Sequence, residues 1–174
     1  MTFIEINNMM KRRFREFILV IVNHILCGTR FYGIKRLLLN CCCGVSIGKG
    51  TRVVSINISN CSVVTIGRDC WIGKNFTIYG DGKVSIDDNC DIAPDVSFCT
   101  GSHEIGKYNR RAGKGKLLQI NVGKGCWIGA RAMLLGDICL GNGNVIGACC
   151  LVNKSFGENH VLVGVPARAI KNIK

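Results

Sequence analysis

Proline is nearly absent, with 2 in 174 residues, and the 22 glycines do not fall at every third position, so a collagen-type helix is excluded. Aromatic residues make up 7% of the chain, few for a β-sandwich held by aromatic packing. Acidic residues are scarce. Eleven Asp and Glu against 23 Lys and Arg leave a net charge of +12, which favours anionic partners such as nucleic acid, an acidic membrane face, an acidic glycan or a phosphorylated cofactor. Histidine occurs only three times. No apolar run approaches the roughly 18 residues of a membrane span. A 48% apolar fraction excludes a disordered chain, and the length suits one ordinary core.

Cysteine is abundant, at 12 residues, but no C-x-x-C pair occurs. Cys41, Cys42 and Cys43 are consecutive, which is poor geometry for bridging one another. Several others recur at one place in a repeat. The reading is of reduced, small, buried thiols in a cytosolic protein.

The first 44 residues stand apart. Lys11 to Arg13 and Arg15 precede an apolar run that imitates a signal peptide, but Asn23 and His24 interrupt it, and Leu26 precedes Cys27 where a lipoprotein site needs a small residue. An amphipathic helix over about 8–26 is expected, then a shorter one over 30–39. Their plain role is to cover the end of the domain. A sharper role is to rest on an anionic membrane surface through Lys11, Arg12, Arg13, Arg15, Lys35 and Arg36.

From residue 45 the chain runs on a period of six. Branched apolar residues fall at Val122, Ile128, Leu134, Leu140, Ile146 and Val152, with glycine following at 123, 129, 141 and 147. The same beat passes earlier through Ile47, Val53, Ile66, Ile72, Ile78, Ile86, Ile92 and Phe98. A helix repeats near 3.6 and a strand near 2; six is a signature of a stacked β-helix. Each hexad is then one short strand and one corner, with the apolar residue inward and a small residue after it whose tolerance of positive φ lets the chain turn. A second inward slot four residues on holds Cys70, Cys90, Cys126, Ala132 and Cys150, with Phe76 and Asn144 as exceptions. The expected class is all-β: a parallel β-helix of about five coils and about 24 Å in height. The expected organisation is a helical cap at 1–44, the β-helix at 45–160 and a tail at 161–174, with the helical start and 161–170 covering the two ends. Between Phe98 and Val122 the register breaks, extruding an irregular loop over 101–119 that carries His103, Glu104, Arg110, Arg111, Lys114 and Lys116.

The runs INVGKGCWIGA at 120–130, VIGACCLVNK at 145–154 and VGVPARAI at 163–170 resemble the hexapeptide-repeat acyltransferases, nearest the maltose and galactoside acetyltransferases and the sugar O-acetyltransferases of capsule and exopolysaccharide pathways. The resemblance covers 45–170. It implies a left-handed β-helix, a homotrimer with active sites between subunits, and acetyl-CoA as donor. In the run IAPDVSFCTGSH at 92–103 it places the general base at His103. It places Trp127 at the site wall and the Ala130 N–H toward the thioester carbonyl. Ala148, Asn153 and Lys154 fall along the pantetheine arm and nucleotide, and Arg168 and Lys171 near the phosphates, with Pro166 and Ala167 completing the tail motif. Asp81 stands where relatives hold a sugar hydroxyl. The pattern departs in two places: Gly73 occupies an acceptor-binding position, with Asn75 two residues on as the substitute, and the N-terminal region does not show the maltose-type helical pair.

Imidazole, with a pKa near 6.5, can take a proton from a sugar hydroxyl as the C–O bond forms, and a backbone N–H can stabilise the oxyanion. Direct transfer is expected, because only Ser102 adjoins the imidazole as a nucleophile and it does so in sequence alone. His24 and His160 are read as structural. The activity expected is acetyl transfer to a sugar hydroxyl of a surface polysaccharide or its precursor, in the cytoplasm or at the inner membrane face. N-acylation of an amino sugar and a non-catalytic β-helix assembly module stand as alternatives. Zinc chemistry on this fold needs three histidines at one centre, and nucleic-acid binding has no aromatic–basic motif behind it. No metal is expected.

Overall fold

Each hexad becomes one short strand and one corner, and three hexads close a coil. In the computed structural model, residues 3–59 and 62–173 are described, with side chains from residue 9 onward; Cys61 and the outermost residues of the expected cap and tail lie outside the described residues. The first face stacks Val45–Ile47, Val63–Ile66, Lys83–Ile86, Gln119–Val122 and Ile138–Leu140 in parallel. The second stacks Arg52–Val53, Trp71–Ile72, Asp91–Ile92, Trp127–Ile128, Val145–Ile146 and His160–Val163, also in parallel, and ends with antiparallel Arg168–Asn172. The third stacks Ile56–Ile58, Phe76–Tyr79, Ser97–Cys99, Met133–Leu135 and Leu151–Val152. These make five complete coils and the start of a sixth, an all-β left-handed β-helix with a helical N-terminus.

Inward residues form vertical columns. Ile47, Ile66, Ile86, Val122 and Leu140 stack on one face, and Val53, Ile72, Ile92, Ile128, Ile146 and Leu162 on the next, all essentially buried. The glycines after these residues do not supply positive φ. That conformation belongs two residues later, to Gly50, Asp69, Asn89, Gly125 and Gly143. The glycine is needed for close approach instead: a Cβ at Gly67 would lie 2.6 Å from the Asp87 carbonyl carbon, and one at Gly129 2.6 Å from the Ala148 nitrogen.

The second inward slot has its own logic. At the corner between the first and second faces, each side chain donates a hydrogen bond to the next coil's carbonyl. Thr51 Oγ1 reaches Gly67 O at 2.6 Å, and the Sγ atoms of Cys70, Cys90 and Cys126 reach Asp87, Gly123 and Gly141 O at 3.2, 3.1 and 3.3 Å. Asn144 continues the ladder: its Nδ2 donates to Gly157 O at 2.7 Å and its Oδ1 accepts from His160 N at 2.9 Å. Asn144 is therefore the polar rung of a mixed column. Phe76 is accommodated edge-on against Phe98, with ring centroids 5.0 Å apart, in a column that narrows upward through Val96, Ala132 and Cys150.

The lower end of the column needs hydrogen-bond partners that a missing coil would supply. A helical pair provides them. Helix α1, Phe3–Val20, runs into a π-helical turn, Ile21–Ile25, and helix α2 spans Tyr32–Cys42. Asn23 from the turn pairs with both the N–H and the carbonyl of Ile56, each at 3.0 Å, as a neighbouring strand would. Asn40 does the same for Ile47, at 2.8 and 3.1 Å. Lys35 is fully buried, and its Nζ donates to the carbonyls of Gly28, Val53 and Val54 at 2.8, 3.1 and 2.8 Å. The membrane-facing role expected for Lys35 and Arg15 is thus overturned, because both side chains are buried. The expected loop is also more regular than foreseen. Gly101–Ile105 and Ala112–Leu117 pair as an antiparallel ribbon, and Gln119 already belongs to a coil.

Replacing Lys35 with Met, of similar size, leaves the buried carbonyls of Val53 and Val54, and that of Gly28, without their donor. It should lower unfolding free energy by about 2–4 kcal/mol in a denaturant titration. Burial pushes the Cys43 thiol up to about 11, partly offset by Arg15. A thiol whose folded pKa exceeds its unfolded value contributes stability below the unfolded pKa and loses it as pH rises toward the folded one. The wild type should therefore lose stability relative to Cys43→Ala between about pH 9 and 11. Thermal melts across that range check it.

Candidate functional site

The three corners differ in what they do with backbone amides. At the first corner, two of the residues two past the inward apolar residue have their N–H capped from the coil above. Arg68 N donates to Asp88 Oδ1 at 2.7 Å, and Lys124 N to Asn142 Oδ1 at 2.9 Å. The Arg68 N–H and guanidinium hold the Asp88 carboxyl below the usual carboxylate range. At the second corner, the equivalent positions are Lys74, Pro94, Ala130 and Ala148. None brings an oxygen to cap the coil below. Gly129 N bonds Ile146 O, Arg131 N bonds Pro94 O and Cys149 N bonds Ala130 O, whereas the Ala130 and Ala148 N–H groups are bonded to nothing among the described residues. Two open donors thus stack one coil apart on an accessible edge.

Trp127 stands on the outward side of the second face in the same coil as Ala130, and is 58% exposed. Above it in that outward column come Val145, Val161 and Lys171. Arg168 is exposed beside Val163, and its Nη1 donates to Ala167 O at 3.0 Å. Trp127, Ala130, Ala148, Arg168 and Lys171 therefore share the second face and its second corner.

The other named residues stand on the third corner. The ribbon leaves the column after Thr100 and returns at Leu118, whose N–H donates to Thr100 O at 2.8 Å. His103 lies on its outgoing strand opposite Gly115, and both His103 and Glu104 are exposed. Asp81 lies at the root of the ribbon, in a shallow cleft with Lys83, Leu118 and Asp137. Asn153 and Lys154 are exposed two coils higher, with Lys154 Nζ 5.3 Å from the centre of the Phe156 ring. Within one chain the third face separates this set from the first.

Asn75 holds neither set. It sits low on the second corner with φ 57°, its Nδ2 donating to Asp95 Oδ1 at 3.0 Å. There it borders a cleft of about 610 Å³ with Asn23, His24, Ser55, Asn57 and Lys74. His24 entered this cleft unforeseen, because 51 residues of sequence separate it from Asn75. His160 is half-buried at the top of the second face. The three histidines thus occupy the π-helical turn, the ribbon and the upper end of the column.

Comparison with known proteins agrees with this fold. Residues 120–154 match the bacterial transferase hexapeptide family (six repeats). The galactoside O-acetyltransferase of Escherichia coli (strain K12) is 35% identical over 112 residues, covering 64% of this chain and 55% of that protein. WcaF of the same strain, provisionally named a colanic acid biosynthesis acetyltransferase, is 29% identical over 129 residues, covering 74% of this chain and 69% of its own. A solved galactoside acetyltransferase in complex with coenzyme A superposes with a TM-score of 0.80 at 26% identity, over 96% of this chain and 82% of that one. By repeat, fold and match, the chain is similar to the hexapeptide-repeat acyltransferases. It spans little more than half the length of the first curated relatives it matches.

Proposed function

We propose that the protein is an acetyl-CoA-dependent O-acetyltransferase acting on a sugar hydroxyl, with a surface polysaccharide or its precursor as acceptor. The observation that carries this reading is the pair of open amides at Ala130 and Ala148. A pantetheine arm and a thioester present carbonyl oxygens in a row, and two stacked N–H donors beside an exposed indole suit them. The exposed cations Lys154, Arg168 and Lys171 suit the nucleotide phosphates. Acetyl-CoA supplies the activated acetyl group. His103 takes the acceptor hydroxyl's proton as that oxygen attacks the carbonyl carbon. The Ala130 N–H receives the developing oxyanion. The imidazolium then returns the proton to the departing thiolate, so no acyl-enzyme forms. Asp81 at the ribbon root and Asn75 in the lower cleft hold the acceptor.

The base and the amides stand on different corners of one column, so the working site is built between copies. A homotrimer brings one copy's ribbon to the next copy's second corner. The eleven described cysteines are free thiols, which suits the reducing cytoplasm. Among the described residues no helix is long and apolar enough to cross a membrane.

Thiol release from acetyl-CoA against a panel of sugars and amino sugars tests the reading. His103→Ala should lower kcat by about 10²–10⁴-fold while the trimer persists by light scattering. Full turnover in that variant removes the base; preference for an amine acceptor replaces O- with N-acetylation. Trp127→Ala should raise the KM for acetyl-CoA with a smaller change in kcat, because the indole contributes binding rather than chemistry.

A further inference from the structure

The helices that close the lower end of the column each use one stripe to do so. Ile18 and Val22 from the α1 side, with Lys35 and Leu39 of α2, are buried against the coils. A second stripe on each helix is apolar and open. Met10, Phe14 and Phe17 recur at i, i+4 and i+7 on α1, Ile34 and Leu37 at i and i+3 on α2, and Ile25 ends the π-helical turn. These six are between 50% and 71% exposed. Large open apolar side chains concentrated on one end of a molecule mark a contact surface.

The charge around them says what covers it. Lys11, Arg12, Arg13, Arg30 and Lys49 are exposed on the same end, and Arg36 is half-buried there. Between residues 9 and 50 the single acidic residue is Glu16, and Arg12 holds it at 3.3 Å. A second copy docked through this end would bring cations against cations. A soluble acidic ligand would meet the cations but leave the phenyl rings in water. An anionic bilayer meets both, with phosphates opposite the cations and acyl chains to take the rings.

We propose that the helical end of the column seats on an anionic lipid bilayer, with Phe14, Phe17, Ile34 and Leu37 entering the headgroup boundary. The inference stands apart from the acetyl-transfer reading, since vesicle binding needs no turnover.

The test is co-sedimentation of the full chain with vesicles of phosphatidylcholine alone or mixed with phosphatidylglycerol. The protein should partition onto the mixed vesicles about tenfold or more above the neutral ones, and added salt should weaken that binding. Arg12→Ser with Arg13→Ser and Arg30→Ser should reduce partition about tenfold or more and flatten the salt dependence. Phe14→Ser with Phe17→Ser and Leu37→Ser should abolish binding while circular dichroism and turnover on a soluble acceptor stay as in the wild type. Equal partition onto both vesicle types, no binding at all, or wild-type binding by the apolar variant overturns the proposal. So does a larger wild-type assembly that the apolar variant breaks down, which would assign the face to a second copy.

Discussion

The spacing between coils governs this molecule. Parallel backbone hydrogen bonds hold each strand on the one below, and every side chain must fit the gap that results. Where two coils approach most closely, a Cβ has no room, so Gly48, Gly67, Gly123 and Gly129 are bare backbone. Where the gap faces inward, branched apolar residues stack in register. At the first corner the gap is spanned by a hydrogen bond from Thr51, three thiols and Asn144 in turn. Cysteine serves there as a small donor that tolerates burial, so Cys70, Cys90 and Cys126 follow from corner geometry and not from redox chemistry.

A column made of equivalent hexads has equivalent corners until something breaks the pattern, and the candidate site consists of such breaks. At the first corner Asp88 and Asn142 cap the amides of the coil beneath. At the second, the residues overhead bring no oxygen, and the Ala130 and Ala148 donors are left open to a ligand. At the third, the chain leaves the column and returns as a ribbon bearing the only histidine held on an extruded element. The rigid repeat positions all three without any of them being part of its packing.

The lower end shows the cost of a repeat that stops. Strand edges left without a neighbour invite pairing with another chain. Asn23 and Asn40 imitate a strand with one side-chain amide each, and Lys35 gathers three carbonyls at once. Using those polar groups inward leaves the helices' remaining apolar residues facing out, which is why this end carries open phenyl rings.

The six-residue beat alone determined the β-helix and the place where it is interrupted, because each hexad is a local unit whose inward residue repeats at a fixed step. His103 and the alanines of 130 and 148 could be named from the motifs that surround them. What a corner residue does was not legible. Whether an amide is capped depends on the residue about 18 to 20 positions further on, which only the coil rise brings overhead. The burial of Lys35 and Arg15 was hidden for the same reason, since a lysine in an amphipathic helix looks solvated until the carbonyls of Val53 and Val54 are placed beside it. Tertiary structure also decided that the imidazole and the open amides stand on different corners. Sequence distance cannot show this, because the chain returns to each corner once per coil.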